Sequence, residues 1–176
     1  MGLAFWCRYI IIVFVIPGMA KGSTRVPVGG YHLLHLAKPP KDLHDPIIVD
    51  AFPFWGVGFS TSYKLQPKYL DFYEIGLLSL DEGLASKEKF TGVVKVEFMW
   101  QGNPVCEYEI NSIQGGVYAG KDMARFKTAM LLRFEIPIEG KFDKELSMRM
   151  TVVKADQNLQ KYGDSLKIYV AVSATP

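Results

Sequence analysis

Three segments of this chain carry apolar side chains at every second position, and that alternation is its strongest folding constraint. In Val94-Lys95-Val96-Glu97-Phe98-Met99-Trp100 one face carries Val94, Val96, Phe98 and Trp100, and the other carries Lys95 and Glu97. Leu146, Met148, Met150 and Val152 share a face in 146–152, and Leu166, Ile168, Val170 and Val172 do so in 166–172. A period of two lays one face of a strand against a core and turns the other to water. A helix would need apolar residues every three or four positions.

The rest of the chain from Pro46 onward is consistent with this. Ile47–Val49, Phe59–Leu65 and Tyr69–Leu80 read as strands, the last bending at Gly76. Met130–Ile138 reads as another, with Met130, Leu132, Phe134, Ile136 and Ile138 on one side and Pro137 marking an edge or bulge. Turn residues separate the runs: Gly102-Asn103-Pro104, Gly115-Gly116, Gly120, Gly140 and Gly163-Asp164. Leu80–Lys89 has room for one or two helical turns, weakened by Gly83. The sequence therefore predicts an all-β chain, a single antiparallel β-sandwich of jelly-roll or immunoglobulin-like type over residues 46–176, preceded by an irregular segment at 21–45. A closed barrel would produce the same pattern.

The first twenty residues have a different layout. Arg8 is the one charge, Tyr9–Ile16 is wholly apolar, Pro17-Gly18 breaks it, and Gly18 and Ala20 stand where a signal peptidase requires small residues. The expectation is a signal peptide over 1–20 and an exported protein, periplasmic or extracellular. The alternative is a retained membrane anchor, although the apolar run falls short of the roughly 20 residues that a spanning helix needs. Membrane association is expected only if this segment stays uncleaved. Cys7 precedes the run instead of following it, which excludes a lipoprotein signal.

Cleavage after Ala20 would leave Cys106 as the sole cysteine and 19 basic residues against 18 acidic ones, since Arg8 is one of the 20 Lys and Arg. No intramolecular disulfide could then form. Cys106 shares a strand face with Tyr108 and Ile110, which favours burial over reactivity. The charges are interleaved without a basic run, so nucleic acid is not expected as a partner.

Three groups of residues could carry chemistry. Phe52, Phe54, Trp55 and Phe59, interspersed with Pro53, Gly56 and Gly58, are either a rigid ligand-binding platform or part of the core. His32, His35 and His44, near Asp42, Asp45 and Asp50, are metal-ligand types at poor spacing, because on a strand His32 and His35 would face opposite ways. A solvated polar loop is the simpler reading, and neither metal nor other cofactor is expected. Glu107 and Glu109 share a strand face about 7 Å apart. Paired carboxylates of this kind serve glycoside hydrolysis only inside a cleft, and an exposed acidic face is the alternative. The chain contains no nucleophile elbow, phosphate loop or dinucleotide fingerprint.

Two stretches carry a resemblance. One runs Tyr63-Lys-Leu-Gln-Pro67 into Tyr69–Leu78; the other runs Phe134-Glu-Ile-Pro-Ile-Glu-Gly140 into Leu146–Lys154 and then Leu166–Val170. Together they resemble small exported bacterial β-sandwich proteins of a family of unknown function. The resemblance implies export and a sandwich fold and assigns no functional residue. Function is thus expected to be non-enzymatic: binding of a protein partner, for instance as an immunity or inhibitor protein of the bacterial envelope. A carbohydrate-binding module using the aromatic platform is the second expectation. An envelope enzyme with a non-standard site, built on the glutamates or the histidines, is the third.

Overall fold

The computed structural model describes residues 40–174, apart from 70, 82–83, 85–88, 115–125 and 137–145. The N-terminal segment, including the expected signal peptide, His32 and His35, lies outside the described residues. Among the described residues there are eight strands: β1 (Ile48–Ala51), β2 (Ser60–Leu65), β3 (Phe72–Ser79), β4 (Val93–Trp100), β5 (Asn103–Ile110), β6 (Lys127–Glu135), β7 (Leu146–Lys154) and β8 (Lys167–Val172). A six-residue 3-10 helix, Gln160–Ser165, precedes β8. No helix among the described residues is long and apolar enough to cross a membrane.

The strands form two four-stranded sheets in the orders β1-β8-β3-β6 and β2-β7-β4-β5. Every pairing is antiparallel. The alternating segments meet in register: Val96 lies opposite Met150 and Phe98 opposite Met148. Their apolar faces join Ile75, Leu77, Phe134, Ile168 and Val170 of the other sheet in one hydrophobic cluster. Phe98 and Phe134 make the contact between sheets directly, with ring centroids 4.7 Å apart. Each sheet alone would leave its apolar face in water, so both are stable only when the faces meet.

Three sequence expectations need correction. The turn after β4 is Gln101-Gly102, both at positive φ (48° and 81°), the signature of a two-residue type I′ hairpin turn. Asn103 and Pro104, expected in the turn, therefore belong to β5. A register shift opposite Ile75/Gly76 also takes Met130 off the inner face. Leu132, Phe134 and Ile136 enter the main cluster as expected, Ala129 and Leu131 join them, and Met130 lies opposite Gly76. Finally, the segment 166–172 does not turn one face to water: in β8 Tyr169 and Ala171 are as buried as Ile168, Val170 and Val172, and β3 is likewise buried on both faces over Tyr73–Ser79.

Candidate functional site

The connections β1–β2, β3–β4 and β7–β8 gather at one end of the sheets, and a buried carboxylate ties them together. Asp156 accepts hydrogen bonds at Oδ2 from the backbone N–H groups of Thr91 (2.6 Å) and Gly92 (3.0 Å), and at Oδ1 from Leu159 (3.0 Å). Its own N–H donates to Phe54 O at 2.9 Å. A buried ionised carboxylate needs such partners, and backbone N–H groups supply them without a counter-ion.

This clamp fixes the aromatic segment. Phe54 is fully buried and packs edge-on against Phe52 (4.7 Å) and Phe90 (6.2 Å). Phe52 is buried as well, and Trp55 is half-buried against the core. Four exposed rings on one platform are therefore not what the segment presents: Phe52 and Phe54 are core residues. The remainder turns outward. Val57 is 69% exposed at the loop tip and Phe59 38%. Gly56 N–H donates to Pro53 O, Phe59 N–H to Gly56 O and Gly58 N–H to Val152 O. Val152 N–H in turn donates to Phe59 O. Gly58, at φ 79°, is the left-handed first residue of a bulge opposite Val152. Val153, the next residue of β7, is 55% exposed. The result is a hydrogen-bonded loop that holds Val57 in water and leaves Phe59 partly exposed, its ring edge-on against buried Phe52 at 5.4 Å, with Val153 beside their anchoring strand.

The outer face of the β2-β7-β4-β5 sheet adjoins this loop. Glu97 and Glu107 stand directly opposite each other on β4 and β5, an unfavourable like-charge pair by itself. Lys95 Nζ bridges them, at 3.1 Å and 2.9 Å, and Arg149 Nε bonds Glu97 at 3.0 Å. Partial burial pushes the Glu97 carboxyl up, but the bonds from Arg149 and Lys95 prevail and hold it below the usual range. Glu107 is thus committed to an ion pair on an open sheet, and Glu109 is exposed on the same face. Among the described residues both face solvent.

The strap at 40–46 holds Asp42, His44 and Asp45, while Asp50 lies on β1. Asp42 accepts bonds from Tyr69 Oη (2.5 Å) and Lys68 Nζ (3.0 Å), which lower its pKa. The same bond from its side raises the Tyr69 phenol to about 12. His44 Nδ1 lies 3.1 Å from Val172 O; since a carbonyl only accepts, that nitrogen carries the proton. Among the described residues no three His, Cys, Asp or Glu side chains group as metal ligands.

One polar cluster was not anticipated from sequence. Glu74 of β3, 1% exposed, accepts bonds from Tyr169 Oη (2.6 Å) and Ser173 Oγ (2.8 Å). The Tyr169 ring reaches it by lying across Gly76, its cross-strand partner. The only sequence signal was one carboxylate inside the apolar run Tyr73–Leu78.

No family model matches the chain, and no curated protein matches it. Two solved structures are similar in part. A protein from Sulfurospirillum deleyianum is 12% identical, with a TM-score of 0.48 over 72% of this chain and 97% of that one. An insecticidal delta-endotoxin from Bacillus thuringiensis is 14% identical, with a TM-score of 0.27 over 65% of this chain and 18% of that one.

Proposed function

We propose that this chain is an exported jelly-roll sandwich that binds a protein partner through the loop tip at Val57 and Phe59, as an envelope immunity or inhibitor protein would. The strand orders β1-β8-β3-β6 and β2-β7-β4-β5 support the jelly roll, because they are those of two nested Greek keys on eight strands. An immunoglobulin-like sandwich distributes seven strands differently. The observation that carries the binding reading is the exposure of Val57, Phe59 and Val153 at a loop tied by backbone hydrogen bonds to β7. Apolar side chains held in water by a bonded loop lose little conformational freedom on docking, so their burial goes into affinity. The carbohydrate reading is weaker, since two of its four rings are in the core.

The test is a photo-crosslinking residue at position 57, introduced in the organism that makes the protein. A discrete adduct that disappears with Phe59→Asp and Val153→Asp supports the reading. Efficient labelling by solvent alone, with no adduct, refutes it. Sequencing the N-terminus of the protein from the same cells tests export: cleavage predicts a start at Lys21.

A further inference from the structure

The four edge strands are not equally protected against pairing. An open edge offers a row of N–H and C=O groups to any extended chain, and proteins blunt such edges with proline, bulges, charge or brevity. β1 has only four residues. β5 contains Pro104, a register shift after Phe98 on its partner strand, and exposed Glu107 and Glu109. β6 carries a register shift and is bridged by Gln114, whose N–H donates to Met130 O at 2.7 Å. β2 is neither short nor interrupted: it carries one charge, Lys64, and its bulge at Gly58 lies before its first residue. It runs six residues without proline, in unbroken register with β7, and among the described residues it pairs with β7 alone.

The bond from Val152 N–H to Phe59 O sets the phase of this ladder. Antiparallel bonding repeats every second residue, so Thr61, Tyr63 and Leu65 bond to β7. The backbone groups of Ser60, Ser62 and Lys64 point away from the sheet. Their side chains lie on its exposed face, and Lys64 is the only charge on the strand.

We infer that β2 is a docking edge for an extended segment of a protein partner, which adds to the β2-β7-β4-β5 sheet as a fifth strand. This rests on the reading of the chain as a binding protein and names how the partner is held. Main-chain bonds to Ser60, Ser62 and Lys64 supply register, and side-chain pockets supply selectivity. An acidic residue facing Lys64 and an apolar one against Phe59 complete the match. The two Glu side chains of β5 make that edge a poor competitor for the same segment.

A library of random octapeptides selected against the full chain tests this. The expected result is enrichment of alternating sequences with an acidic residue. Their binding should weaken at least about tenfold in Ser62→Pro, which removes an outward N–H and no bond to β7, and remain unchanged in Glu107→Gln. Amide exchange at Ser60, Ser62 and Lys64 should slow about tenfold in the complex while that of β5 does not. Urea melts of Ser62→Pro verify that it folds. Selected peptides that ignore Ser62→Pro, protection appearing elsewhere, or no enrichment would each overturn the inference. So would a concentration-dependent dimer abolished by Ser62→Pro, which makes a second copy the occupant. Binding that fails in Phe59→Asp and survives in Ser62→Pro refutes the edge and leaves the loop-tip reading standing.

Discussion

Replacing Gly76 by alanine should unfold this protein more readily than any ordinary surface change, for a reason visible in one close approach. A Cβ at this position would lie 2.4 Å from Cε1 and Cζ and 2.5 Å from Oη of Tyr169. Carbon atoms pack at about 3.5–4.0 Å, so the ring must move by more than an ångström. The ring is 1% exposed and has no open side to move into. Overpacking of this kind costs about 1–3 kcal/mol. Movement also breaks the 2.6 Å bond to Glu74, and a bond to a charged group is worth about 1.5–3 kcal/mol. Alanine recovers about 0.5–1 kcal/mol relative to glycine in a strand interior. The net is a loss of about 3 kcal/mol, or about 6–12 °C in Tm for a chain of this size. Urea melts followed by tryptophan fluorescence measure it, alongside Tyr169→Phe and the double variant. If the mechanism is displacement of the hydroxyl from Glu74, Tyr169→Phe costs far less in the alanine background than alone. Costs that add within about 0.5 kcal/mol would refute the coupling, and a stabilised Gly76→Ala would refute the steric argument itself.

Other expectations use the same melts. Asp156→Ala leaves the N–H groups of Thr91, Gly92 and Leu159 without their acceptor and should cost about 3 kcal/mol or more, at about 1–3 per unmet buried group. Gln101→Gly relieves the left-handed backbone at φ 48° and should stabilise by about 0.5–1 kcal/mol; destabilisation would mean that the glutamine side chain matters. Tyr69, raised to about 12 by its bond to Asp42, favours the folded state while the phenol is neutral in both states. That contribution is full below the unfolded pKa near 10 and disappears as pH rises from there through 12. Tyr69→Phe should flatten this alkaline fall, and an unchanged pH profile would refute the assignment.

The strands could be read from sequence because a period of two needs no partner to be visible. In β7 the expected inner face is the observed one, and in β4 it holds for Val94, Val96 and Phe98 but not for Trp100, which lies past the register shift at Phe98/Met99 and is half-buried outside the core cluster. Face assignment failed at Met130, since a bulge is a relation between two strands and leaves no local mark. The same is true of function-bearing geometry. Phe52 and Val57 sit in one aromatic, glycine-rich stretch, yet one is buried and the other exposed, and the difference is set by Val152 and Asp156 about 100 positions on. Glu74 finds its donors 95 and 99 residues away. The hairpin at Gln101-Gly102 was displaced by two residues because Asn103-Pro104 is a strong turn signal that loses to pairing with β4.

The clamp at Asp156 has a consequence in time. Its bonds to Thr91 and Gly92 close loops of 65 and 64 residues, and they require the β1–β2, β3–β4 and β7–β8 connections to have met already. Contacts of that reach form after the folding nucleus, which favours local pairings such as the β4–β5 hairpin. Loss of the carboxylate should therefore leave the refolding rate nearly unchanged and accelerate unfolding. Asp156 then governs how long a folded molecule lasts, rather than how quickly one is made. Wherever unfolding is followed by an irreversible loss, lifetime is the quantity that determines how much folded protein persists.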